Sequence, residues 1–186
     1  MITKVNNIKL NGQHKPIVAD IYFKKNQTPK PVIILCHGYK GFKDWGAWSL
    51  VGDYFAQEDF VFIKFNFSHN GGTVENPIDF PDLEAFAQNN YIKELDDLNT
   101  VINWVFDNNG YSSEIDARSI SLVGHSRGAG IVVIKAEEDT RITSVLTWAG
   151  VSDYKARFQM GTPSFKTWQE TGITYIENSR TKQNMP

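Results

Sequence analysis

The sequence predicts an α/β protein: a mostly parallel sheet with helices on both faces, entered through an antiparallel N-terminal hairpin. Three observations carry this prediction. Short apolar runs, VIILC (32–36), FVFIKFNF (60–67), SISLV (119–123) and SVLTW (144–148), have the composition of strands buried on both faces. Segments of helical periodicity separate these runs, and that alternation calls for parallel strands joined by crossover helices. The first two runs, 2–10 and 14–24, are joined by Asn11-Gly12, a tight-turn pair that favours a hairpin.

Each element follows from its own pattern. Ile17, Ala19, Ile21 and Phe23 alternate along the second strand. The segment NQTPKP (26–31) is a loop that leads into VIILC. Residues 47–57 carry Trp48, Val51 and Phe55 on one helical face. A polar, glycine-bearing loop, SHNGGTVENP, follows the FVFIKFNF strand, and a short helix is expected near 82–88. The strongest helix spans 91–107, with Ile92, Leu95, Leu98, Ile102 and Val105 at three-to-four spacing and Asn108-Asn109-Gly110 as its stop. IVVIKAE lies on a helix between the last two buried strands. Residues 1–150 read as the core. Residues 151–186, rich in aromatic and polar residues, read as a cap- or lid-like tail without a buried strand.

Composition excludes several classes. The 186 residues suit one domain, and a net charge of −2 provides no electrostatic footprint for nucleic acid or an anionic membrane. The single cysteine, Cys36, cannot close an internal disulfide, and no CxxC or Cys/His cluster suggests a metal; no cofactor is implied. The N-terminus lacks the apolar run of a signal peptide, and nothing approaches the roughly 20 apolar residues of a membrane span. A soluble, cytoplasmic protein is expected.

The chemistry centres on GHSRG, Gly124 to Gly128, where a buried strand ends and a helix begins. That is the context of a nucleophile elbow. A serine on such a turn needs small neighbours two positions on either side, because strand and helix pass too close for a side chain. Ser126 is thus the candidate nucleophile, flanked by Gly124 and Gly128. The backbone N–H of Arg127, at the positive end of the helix, is an oxyanion donor. His37-Gly38, at the end of the third strand, precedes a loop that faces this turn, and the Tyr39 N–H is the second candidate donor. His37 is expected to brace that loop through its own hydrogen bonds.

Together the hairpin entry, HGYKGFKDW, FNFSHNGGT and GHSRG resemble the α/β-hydrolase superfamily. The likeness is to small bacterial serine esterase- and peptidase-like members in the neighbourhood of dienelactone hydrolases and feruloyl esterases. The resemblance covers essentially the whole chain and implies acyl transfer to water through a Ser-His-acid triad, with a small-molecule ester or amide as substrate and neither cofactor nor metal.

In that superfamily the acid and the histidine follow the serine along the chain. Here His14, His37, His69 and His125 all precede Ser126. The sequence therefore resembles an α/β-hydrolase fold lacking its last strand-helix units. Three explanations stand open: a truncated piece of a longer hydrolase with little activity itself, a naturally short non-catalytic relative that binds a small ligand or a partner chain, or an earlier histidine, His69, acting as base. The edge beside SVLTW is expected to be covered by the tail or by self-association with another chain.

Remaining signals have plainer readings. Glu94, Asp96 and Asp97 are expected on a solvated helix face with one ion pair at most. Lys64 and Asn66 are read as ordinary strand residues, Cys36 as a small apolar filler, His125 as a packing residue and Asp153 as a loop aspartate. Tyr39, Phe42, Trp45 and Trp148 either line an apolar pocket or pack in the core.

Overall fold

The structure is a computed structural model that describes residues 1–107, 110–155, 159–179 and 181–186. Asn108 and Asn109 of the expected helix stop lie outside the described residues. Along the chain run β1 (Ile2–Leu10), β2 (Ile17–Lys24), β3 (Lys30–Cys36), α1 (Trp48–Gln57), β4 (Val61–Asn66), α2 (Leu83–Ala87), α3 (Tyr91–Phe106), β5 (Ile115–His125), α4 (Arg127–Glu138), β6 (Ile142–Trp148), α5 (Pro163–Thr171), β7 (Ile176–Glu177) and β8 (Asn184–Met185). The main sheet has the order β1-β2-β4-β3-β5-β6. β1 pairs antiparallel with β2 and β2 antiparallel with β4; every later pairing is parallel.

Alternation within the central strands decides the layers. Val32, Ile34 and Cys36 of β3 join Ile63, Phe65, Ile120 and Leu122 in a core closed by Leu98, Val101 and Ile102 of α3 and Ile131 and Val132 of α4. The opposite residues, Ile33 and Leu35, join Phe62 and Val123 under Trp48 and Ala56 of α1. Strands covered on both faces have no polar face to show, which is why they read as continuous apolar runs.

Two expectations change here. The turn at Asn11-Gly12 belongs to a wider connection: Leu10 pairs with Ile17, and β2 begins there rather than at residue 14. His14 leaves the strand to meet Asp96 at 2.8 Å, Lys15 meets Asp82 at 2.5 Å, and Pro16 has no N–H to give a ladder. Of the two covers expected for β6, the tail and another chain, the described tail residues do not supply the first. β6 is the last strand of the sheet, and its Leu146 and Trp148 are about half exposed. Among the described tail residues, β7 and β8 pair with each other, and Met185 is buried against Phe80 and Phe86 beside α2. Met185 thus takes its apolar partners from beside α2, not from the sheet edge.

Candidate active site

Ser126 stands between β5 and α4 as the N-cap of the helix, with φ 53° and ψ −115°. A non-glycine residue adopts that backbone only when its surroundings impose it. The surroundings are visible. The Ser126 N–H donates to the Trp148 carbonyl at 3.0 Å, and the Ser126 carbonyl accepts from Ala129 N–H at 3.1 Å and Val151 N–H at 3.4 Å. The flanking glycines are required by contact: a β-carbon on Gly124 would lie 2.4 Å from the Gly128 carbonyl oxygen, and one on Gly128 would lie 2.5 Å from the Cys36 carbonyl oxygen. The strand, the turn and the start of α4 leave no room for a side chain at either position.

The loop after β3 touches this turn directly. A β-carbon on Gly38 would come within 2.9 Å of the Ser126 β-carbon. Arg127 is the first residue of α4, so helix geometry leaves its N–H without an intrahelical acceptor. Tyr39 follows Gly38 in the facing loop. The turn and the loop thus bring together Ser126, Arg127, Gly38 and Tyr39.

His37 sits behind that loop. Its Nδ1 lies 2.9 Å from the Gly38 carbonyl oxygen, and its Nε2 accepts from the Phe67 N–H at 3.3 Å. This pattern assigns a neutral ring protonated at Nδ1. Burial agrees, lowering its pKa to about 4. Both ring nitrogens are therefore occupied by the backbone.

The other histidines lie in other contacts. His125 stacks on Trp45 with ring centroids 6.0 Å apart and meets Trp48 edge-on at 5.3 Å. His69 is buried, with Nδ1 2.9 Å from Ser68 Oγ, and meets His14 edge-on. Desolvation lowers the His69 pKa to about 4. Among the described residues, none of the four histidines is hydrogen-bonded to Ser126. Asp153 accepts from the Lys155 N–H in its own loop, and Cys36 is buried with its thiol pushed well up by desolvation. Tyr39, Trp45 and Trp148 are each nearly half exposed around the turn, whereas Phe42 is buried.

Two sets of charges differ from expectation. Glu94 and Asp97 are not on a solvated face: they are 4% and 0% exposed. Glu94 forms a two-pronged pair with the Arg127 guanidinium, at 3.1 and 3.3 Å, and accepts from Asn89 Nδ2 at 2.8 Å. Asp97 accepts from the Ser68 N–H at 2.7 Å, and burial raises its pKa to about 6. Helical spacing had put both on a solvated face of α3, and it could not say that the loop after β4 and the start of α4 would cover them.

Lys64 is fully buried in β4 and bonds Asp20, 2.9 Å away on β2, and Asp44 in the loop after β3. Lys43 bonds the same two carboxylates at 2.9 and 2.6 Å, while its N–H donates to Asn66 Oδ1. These residues brace the loop that carries Gly38 and Tyr39. One signal for them was present in the sequence: Asp20 and Lys64 each interrupt an apolar strand, and the strands pair them directly.

No metal-binding group of three or more His, Cys, Asp or Glu side chains occurs among the described residues. No helix among them is long and apolar enough to cross a membrane.

No protein-family model and no curated protein matches this sequence. Solved structures do resemble it. An acetyl xylan esterase from a Paenibacillus species superposes with a TM-score of 0.66 at 19% identity, over 91% of this chain and 57% of the other. An alpha/beta hydrolase from a Penicillium species gives 0.64 at 13% identity over 99% and 61%. A dienelactone hydrolase from Anabaena variabilis gives 0.62 at 10% identity over 80% and 64%. This chain spans about three fifths of the length of such structures. With the strand order, the antiparallel entry and the parallel remainder, the likeness identifies the fold of this chain as that of the α/β hydrolases.

Proposed function

We propose that this chain carries the nucleophile and the oxyanion-binding groups of a hydrolase acting on carboxylic esters. One observation carries the reading: a serine with positive φ, at the head of α4, lies against the Gly38-Tyr39 loop. Ser126 Oγ attacks the ester carbonyl carbon, its proton passes to a base, and the carbonyl oxygen gathers charge opposite the Arg127 and Tyr39 N–H groups. The alcohol leaves with a proton, and water releases the acid from Ser126. Esterases and hydrolases among the similar structures support this class.

The base is the weak point of the isolated chain. In serine hydrolases, loss of a triad member lowers turnover by about four to six orders of magnitude, leaving roughly 10³–10⁴ over water. Slow ester turnover is therefore expected of these 186 residues. The absence of an imidazole hydrogen-bonded to Ser126, among the described residues, favours a second reading: an α/β-hydrolase-like module that binds a small ligand without turnover.

A fluorophosphonate probe separates the two. Covalent labelling mapped to Ser126 and abolished in Ser126→Ala supports the hydrolase reading. Labelling that is absent, or that survives Ser126→Ala, refutes an activated Ser126 in this chain and favours the binding module.

A further inference from the structure

The side chain of Arg127 has no role in the chemistry proposed above, yet it meets three side chains from two other segments. Its guanidinium takes the two prongs of Glu94, lies 4.5 Å from the centre of the Tyr91 ring on α3, and lies 5.7 Å from the centre of the Tyr39 ring. Its own carbonyl accepts from Tyr154 Oη at 2.8 Å, and Tyr154 packs edge-on against Tyr91. Four separate segments therefore meet at one residue: α3, the loop after β3, the segment after β6 and α4 itself.

Stability is a weak reason for such an arrangement. Burying Glu94 and most of Arg127 carries a desolvation penalty comparable to what their attraction returns. Burial accordingly raises the Glu94 pKa even though Arg127 and Asn89 pull it down. What a planar, two-pronged pair supplies in full is orientation. The fork fixes the guanidinium, whose carbon lies 5.7 Å from the centre of the Tyr39 ring. Tyr39 needs the support, because it is 47% exposed and its ring otherwise meets Phe86 and the Lys40 ammonium, 5.8 Å from the ring centre.

We infer that Glu94 and the Arg127 side chain form a positioning device that locks the Tyr39 loop to the head of α4 and so sets the spacing of the Tyr39 and Arg127 N–H groups. The inference rests on the acyl-transfer reading for its consequence, although the lock itself is a matter of geometry. Glu94 is a positioning residue: it acts on the site through Arg127. A loosened lock lets the two donors drift apart, and a misplacement near 1 Å at such a site costs up to about 10²-fold in rate.

The test uses the full chain labelled with ¹⁵N. In Glu94→Gln, hydrogen exchange at Arg127 Nε is expected to rise about 10-fold or more, as one charged partner is lost. The Tyr39 backbone N–H resonance is also expected to move, although Tyr39 and Glu94 share no hydrogen bond. Arg127→Lys, which keeps the charge and loses the fork, should move the Tyr39 resonance the same way, and it decides the matter if Glu94→Gln does not fold. Fluorophosphonate labelling of Ser126 should slow by about 10-fold or more in either variant. An unmoved Tyr39 resonance in the folded variants overturns the lock. A wild-type chain that the probe never labels at Ser126 refutes the hydrolase reading instead, and the Tyr39 resonance still decides the lock.

Discussion

Gly38 lies against Ser126 so closely that a β-carbon on Gly38 would sit 2.9 Å from the Ser126 β-carbon, with the His125 carbonyl oxygen at 3.1 Å. Neither neighbour is the free end of a flexible side chain, so the loop has to move to admit a methyl group. Gly38→Ala should lower stability by about 1–3 kcal/mol in urea denaturation, the usual range for overpacking. The same variant should slow any Ser126-dependent labelling, because it displaces Tyr39.

Two glycines of α4 should respond very differently to alanine. A β-carbon on Gly128 meets the carbonyl oxygens of Cys36 and His37 at 2.5 and 2.6 Å, both held in the sheet and its exit loop. A β-carbon on Gly130 meets the Tyr154 hydroxyl, the end of a side chain that can swing away. Gly128→Ala should cost about 3 kcal/mol or more. Gly130→Ala gains about 1 kcal/mol of helix propensity against the displaced tyrosine and should stay within about 1 kcal/mol of wild type. Equilibrium denaturation of the two variants checks the order, and equal losses would contradict this account of the turn.

Ser126 itself stores backbone strain at φ 53° and ψ −115°. Glycine occupies that region without a β-carbon, so Ser126→Gly should be more stable than Ser126→Ala by about 1–3 kcal/mol. Thermal or urea melts of the pair measure it. Equal stabilities would mean that the turn relaxes around alanine at little cost.

Asp97 predicts a pH dependence with a definite sign. Burial raises its folded pKa to about 6 from an ordinary value of 3.8. Between those values the folded state binds more protons than the unfolded state, so the Asp97 contribution is fully present below pH 3.8 and is lost as pH rises through about 6. Asp97→Asn has no carboxyl to ionise. Its stability relative to wild type should therefore rise from pH 4 to pH 7, by up to about 3 kcal/mol. A flat difference across that window would show that Asp97 is not desolvated.

Lys64 neutralises Asp20 and Asp44 from a fully buried position. Lys64→Met keeps the apolar stem and removes the charge, leaving Lys43 to serve both carboxylates. A loss of about 3–5 kcal/mol is expected for breaking a buried pair on one side. Lys64→Met combined with Asp20→Asn should recover part of that loss, because the stranded charge is gone. A double variant no better than the single one would argue against electrostatic coupling.

The sequence by itself determined the central strands, the helices between them and the corner at Gly124 to Gly128. Each depends on short-range physics: side-chain period, the fit of glycine where strand and helix nearly touch, and an apolar run that can only be buried. The antiparallel entry was legible too, though Asn11-Gly12 proved part of a longer link once His14 and Lys15 found Asp96 and Asp82. Tertiary structure decided the charges and the tail. Nothing within α3 says that Arg127 will arrive above Glu94, or that the Ser68 N–H will reach Asp97, because those partners lie far away in sequence. Met185 likewise found Phe80 and Phe86 rather than the edge of β6, a choice between apolar surfaces that only their placement in space could make. Local sterics are written residue by residue, whereas the partner of a buried charge is set by which segments the completed fold brings together.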